Sequence, residues 1–183
     1  MNAKIGIIDY QMGNLRSVQK AFEKNGIQAD IFSDANRLNE FDKIVLPGVG
    51  AFRDAVSELG NRNLIEPICD WIRADKPFLG ICLGLQLLFE KSFEDGEHQG
   101  LGMIPGEVVR FELPATFKVP HMGWNEVNQT QEHPLWSGVP DNSRFYFVHS
   151  YFVQMDDDSK VTGRAHYGTD IVATLADGNI FAT

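Results

Sequence analysis

Apolar residues in the first half of the chain come in short unbroken runs: Lys4 to Asp9 (Lys-Ile-Gly-Ile-Ile-Asp), Gln28 to Phe32, Lys43 to Leu46 and Pro77 to Ile81. A strand covered on both faces has this pattern, because neither of its sides meets water. Between these runs the apolar positions change to helical spacing. Leu15, Val18 and Phe22 share one face of a helix that Asn14 can cap and Asn25-Gly26 stops. Two further helical stretches, around Phe52 to Leu59 and Leu64 to Ala74, lead into the run at Pro77. Strand and helix alternating over short connections predict a mostly parallel sheet with helices on both faces. After about Gly100 the texture changes. Gly106 to Glu112, Trp124 to Gln129, Arg144 to Gln154, Val161 to Tyr167 and Ile171 to Ala182 read as strands, some separated by turns such as Asp177-Gly178. The second half is therefore expected to be mostly β with mixed pairing, continuing one α/β domain, and no internal repeat or low-complexity linker interrupts it.

The pattern is most informative at Gly80-Ile81-Cys82-Leu83-Gly84-Leu85-Gln86, where a buried strand meets a segment with Leu83, Gln86, Leu87 and Glu90 at helical spacing. The reading is a helix from Leu83 to Phe89 with Cys82 at the turn. A side chain held at such an elbow needs a tight backbone, and glycines at 80 and 84 remove the Cβ atoms that collide as strand and helix cross. A helix N-terminus also favours thiolate over thiol, which makes Cys82 the candidate nucleophile. Cys69, in Ile68-Cys69-Asp70-Trp71, has no such frame and reads as a structural core cysteine.

Bulk properties narrow the setting. At 183 residues the chain can bury a core without disulfides or metal. Its two cysteines lie in unlike contexts, and no Cys/His cluster has zinc spacing, so no metal or organic cofactor is implied. Asp156-Asp157-Asp158 reads as a solvated turn. A net charge of -9 argues against general affinity for nucleic acid. No apolar run approaches membrane length and the N-terminus lacks a signal core, so the expectation is a cytoplasmic protein without a membrane partner.

With the elbow in place, three further stretches acquire meaning: Pro47-Gly48-Val49-Gly50, Pro120-His121-Met122-Gly123-Trp124-Asn125, and Tyr146-Phe147-Val148-His149-Ser150-Tyr151. In this order, from Lys4 to Thr183, they resemble the class I (triad) glutamine amidotransferases, and within them the glutaminase subunits of imidazole glycerol phosphate synthase in histidine biosynthesis. The resemblance implies a flavodoxin-like three-layer α/β sandwich and a glutaminase that forms a thioester on Cys82. It hands ammonia to a cyclase subunit, a (β/α)₈ barrel, in a heterodimer. The oxyanion donors would be the backbone N–H of Leu83 and the Gly48-Val49 peptide, which its flanking glycines would allow to flip when the partner is loaded. Gly50, Gln86, Glu94, His149, Ser150 and Tyr151 would hold L-glutamine, with Glu94 meeting the α-ammonium group. Tyr10, Asn14, His121, Met122 and Trp124 would face the partner, Trp124 at the mouth of the ammonia passage, and His121 would belong to this interface instead of serving as base.

The family's base and its orienting carboxylate come from a His-Pro-Glu run just beyond the strand that corresponds to Gly178 to Thr183. None of the five histidines here begins a His-x-Glu sequence. The expectation is a single amidotransferase domain cut about three residues before that histidine, severely impaired in catalysis and lacking the family's last helix. The alternatives are a glutaminase feeding another synthase, a binding subunit without chemistry, and a thiol hydrolase of the peptidase or chaperone type. The last usually carries His directly after the cysteine, where this chain has Leu83.

Overall fold

The computed structural model describes residues 3–183. The chain opens with β1 (Ile5–Ile8), α1 (Leu15–Lys24), β2 (Ala29–Phe32) and β3 (Lys43–Gly48), followed by α2 (Phe52–Asn61), α3 (Ile65–Arg73) and β4 (Phe78–Cys82). Next come α4 (Leu83–Gln86), β5 (Phe89–Ser92), β6 (His98–Gln99), β7 (Ile104–Arg110), β8 (His121–Gln129), β9 (Ser143–His149) and β10 (Tyr151–Gln154). The chain closes with β11 (Val161–His166), β12 (Asp170–Asp177) and β13 (Ile180–Ala182). Nine strands form one sheet in the order β2-β1-β3-β4-β13-β12-β11-β8-β9, and four form a second, β10-β7-β5-β6.

Pairing is parallel from β2 through β1, β3 and β4 to β13, and antiparallel from β13 outward to β9. The continuous apolar runs occupy the parallel part, as a doubly covered sheet requires. Leu15, Val18 and Phe22 of α1 pack on Ile5, Ile7 and Val45 on one face. On the other face, Phe52, Leu59, Ile68 and Trp71 of α2 and α3 pack on Ile8, Ile44, Leu46 and Phe78. Cys69 lies in this core with its thiol toward the Leu101 carbonyl at 3.7 Å. No helix among the described residues is long and apolar enough to cross a membrane.

Two local expectations need correction. The elbow helix ends at Gln86, and Phe89–Ser92 is a strand, β5, paired with β7. Leu87, Leu88 and Phe89 are all fully buried, so the pattern there reflects burial on every side and carries no helical face. Asn14 makes no side-chain cap on α1, where its carbonyl instead accepts from Ser17 and Val18 N–H. The polar stretch before β3 holds a 3-10 turn, Ala35–Glu40, which Asp34 caps by accepting from Asn36 N–H. The Asp156–Asp158 segment is a turn: Asp157 accepts from Ser159, and Asp158 pairs with Arg164.

Candidate active site

Cys82 ends β4 with φ 58° and ψ −110°, a conformation that costs a non-glycine residue of order 1–3 kcal/mol. The surrounding packing holds it there. A Cβ on Gly80 would stand 2.6 Å from the Gly84 carbonyl oxygen, and one on Gly84 would land on the Leu46 carbonyl oxygen. Strand, short helix and β3 therefore touch backbone to backbone, and the elbow cannot relax. Thr183 locks it from the other side, because Cys82 N–H donates to the Thr183 carbonyl at 2.6 Å and Thr183 N–H to the Gly80 carbonyl at 3.0 Å.

The Cys82 thiol is open to solvent on one side. Burial of the rest nevertheless pushes its pKa up, and a hydrogen bond from Leu83 N–H pulls it only partly back. The sequence-based expectation of thiolate favoured by a helix terminus is thus reversed: α4 has four residues, too few for an aligned dipole. The Leu83 N–H points at the sulfur.

A cavity of about 320 Å³ opens beside the thiol. Gln86, His149 and Tyr151 line it with Cys82, and Thr183 and Val172 form the wall toward β12 and β13. Gln86 Nε2 donates to the Tyr151 carbonyl at 3.2 Å, which joins the elbow helix to the corner between β9 and β10. Ser150 sits at that corner, its carbonyl accepting from Phe111 N–H. His149 shares the cavity with Cys82 but offers it no free nitrogen. Its Nδ1 bonds the Tyr151 carbonyl at 2.9 Å, and its Nε2 bonds His121 Nδ1, also at 2.9 Å.

Glu94 is placed elsewhere than expected. It lies outside the cavity lining, and its Oε2 accepts from Phe52 N–H at 2.7 Å, capping the first turn of α2. That helix starts directly after the Gly48-Val49-Gly50 loop, so Glu94 braces the loop from behind. Gly48 itself is extended and paired with Cys82. Its lack of a side chain serves close packing, since a Cβ there would meet the Tyr10 hydroxyl at 2.5 Å and Leu83 Cβ at 2.8 Å. The freedom to adopt positive φ belongs to Gly50, at +95°. Val49 between them is half exposed.

Two residues assigned to the partner face are buried in this chain. Tyr10 is 0% exposed, with a hydroxyl that has no hydrogen-bond partner among the described residues and a pKa raised first by burial and then by Cys82 nearby. His121 is 3% exposed. His121 is turned inward by the alternation of β8, while Tyr10 lies in the turn after β1 and packs beneath the Gly48 strand end. Asn14 is exposed, and Met122 and Trp124, at 60% and 63%, stand clear of the surface with Tyr146 and Val148 beside them. Trp124 and Tyr146 rings meet edge to face at 5.8 Å.

A cysteine elbow at the end of an inner strand, whose short helix is tied to a strand corner by one amide, is a recognisable constellation, and the family model for "Glutamine amidotransferase class-I" matches residues 6–183. The chain belongs to the class-I glutamine amidotransferases. The imidazole glycerol phosphate synthase subunit HisH of Rhodopirellula baltica is 54% identical over 179 residues, covering 98% of this chain and 87% of that protein. The subunit of the same name from Sulfurimonas denitrificans is 51% identical over 179 residues, covering 96% of this chain and 86% of that protein. Among solved structures, PurLQS from Thermotoga maritima superposes with a TM-score of 0.73 at 18% identity, covering 99% of this chain and 85% of that one. At that identity the likeness speaks for the amidotransferase fold alone.

Proposed function

We propose that this amidotransferase chain is the glutaminase subunit of an imidazole glycerol phosphate synthase. The observation that carries the reading is the strained Cys82 elbow, set in a chain about half identical over nearly its whole length to subunits of that name. Cys82 sulfur attacks the side-chain amide carbon of glutamine, and Leu83 N–H receives the developing oxyanion. The C–N bond then breaks, ammonia leaves with a proton, and water hydrolyses the thioester to glutamate.

Gln86 and the His149–Tyr151 corner hold the amino acid end of the substrate beside the thiol. The Gly48-Val49 peptide, paired with the elbow and followed by the conformationally free Gly50, supplies the second oxyanion donor when it turns its N–H inward. The exposed Met122, Trp124, Tyr146 and Val148 patch takes the cyclase subunit, whose barrel receives the ammonia. Two free cysteines suit the reducing cytoplasm.

The thiol proton needs an acceptor, and among the described residues His149 is the one histidine that lines the cavity with Cys82. β13 runs parallel to β4, and the Thr183 carbonyl accepts from Cys82 N–H at the elbow. His149, with both nitrogens engaged, does not fill that role. Residues 1–183 alone should therefore release ammonia about 10²- to 10⁴-fold more slowly than a chain continued through a His-Pro-Glu segment.

The test is reconstitution with the cyclase subunit and glutamine carrying ¹⁵N in its amide. The expected result is ¹⁵N in imidazole glycerol phosphate, lost on Cys82→Ala. Free labelled ammonia without incorporation would overturn the synthase assignment, and no label release from the continued chain would overturn the glutaminase itself.

A further inference from the structure

His121 and His149 face each other directly across the β8–β9 pair. Their bonds fix every proton between them. The Tyr151 carbonyl can only accept, so His149 carries its proton on Nδ1 and leaves Nε2 bare. His121 must then donate from Nδ1 to that bare nitrogen, 2.9 Å away. Its own Nε2 is left as an acceptor, and Asn125 Nδ2 approaches it at 3.4 Å while bonding the His166 carbonyl at 2.9 Å.

The surroundings hold both rings in plane. Phe147 and Tyr167 stack on the two sides of His121, at 5.0 and 4.0 Å, and Phe111 meets His149 edge to face at 5.0 Å. The last acceptor in the chain, the Tyr151 carbonyl, is also the group that holds Gln86. A continuous line of directed bonds thus runs from β8 to the elbow helix. On β8 the same alternation that turns His121 and Asn125 inward turns Met122 and Trp124 out to solvent.

We infer that the His121–His149 pair is a positioning device: it fixes the Tyr151 carbonyl, and through it the Gln86 amide, in the orientation that receives the amino acid end of glutamine. The inference rests on the glutaminase reading. Neither histidine touches the reacting atoms. With one N–H of Gln86 committed to Tyr151, the second N–H and the amide oxygen are left for the substrate. Without the pair, the carbonyl loses its stiffer donor and Gln86 can turn away. Because the pair lies directly beneath the exposed face of β8, displacement of that strand by a partner shifts the substrate corner without any partner residue reaching it.

Two measurements on the full-length protein decide the matter. Long-range ¹H–¹⁵N spectra of labelled histidine at neutral pH should show His121 and His149 both neutral and both protonated on Nδ1. A proton on Nε2 of either ring overturns the pair as drawn. Calorimetric titration with L-glutamine, in a Cys82→Ala background that prevents turnover, should show His121→Phe weakening binding about tenfold, the size of one well-directed hydrogen bond. His121→Asn, whose amide nitrogen takes the place of Nδ1, should return affinity to within about threefold. Unchanged affinity in His121→Phe, or no recovery in His121→Asn, overturns the positioning role. Absence of glutamine binding in the Cys82→Ala parent overturns the glutaminase reading, which separates the two failures.

Discussion

Strands β1 to β4 lie parallel beneath helices on both faces, whereas β8, β9, β11 and β12 run antiparallel and leave one face of the β8–β9 ribbon to solvent. The two halves build opposite walls of one cavity by different means. In the parallel half the reactive side chain is forced into place by backbone contacts, with glycines at 80 and 84 allowing strand, helix and β3 to touch. In the antiparallel half the substrate corner is held by side-chain hydrogen bonds to one carbonyl, that of Tyr151. Steric placement is rigid and intolerant of change, while hydrogen-bonded placement can be adjusted. The arrangement suits the proposed glutaminase, in which the nucleophile stays fixed while the substrate grip answers to a partner.

Substitutions at the elbow test the rigid side hardest. Cys82→Gly should abolish ammonia release and yet raise thermal stability by about 1 kcal/mol, because glycine adopts φ 58° without strain. A stability loss would show that the elbow is not strained. Gly84→Ala should cost about 3 kcal/mol or more in denaturant unfolding, since its methyl would fall on the Leu46 carbonyl oxygen. Gly123→Ala in the exposed ribbon has φ +146° but nothing within 4 Å, and should cost only about 1 kcal/mol. Equal costs at the two sites would erase the contrast between the halves.

Trp124→Ala probes the adjustable side. Its ring is mostly exposed, so unfolding of the free chain should change by less than about 0.5 kcal/mol, while affinity for the cyclase subunit should fall by about 2 kcal/mol. A smaller effect comes from pH. Burial, then His149, pushes the His121 pKa down from 6.5 to about 4. The unfolded chain therefore takes up this proton more readily, and stability is lost as pH falls from 6.5 toward 4, by on the order of 1–2 kcal/mol. His121→Asn should flatten that part of the stability profile relative to the parent, and identical profiles would show that His121 is not held neutral.

The sequence was legible where backbone sterics leave a residue signature. Continuous apolar runs marked β1 to β4, and two glycines around a cysteine marked the elbow. Leu87 to Phe89 misled because residues buried on all sides match a helical pattern as well as any other. The burial of Tyr10 and His121 was not legible, because resemblance alone does not say which residues of a strand or of the turn after it face inward. Glu94 was read as a substrate contact, and its cap on α2 is a long-range bond across 42 residues that no local pattern announces. The His121–His149 bond is hidden for the same reason, since 28 residues separate two histidines that only the β8–β9 register brings together.

The most direct test is acid-quenched peptide mapping of the full-length protein during turnover of L-glutamine. The account predicts a glutamyl thioester on the peptide containing Cys82 and none on that containing Cys69. Ammonia released with no adduct on Cys82, or an adduct on Cys69, would contradict it.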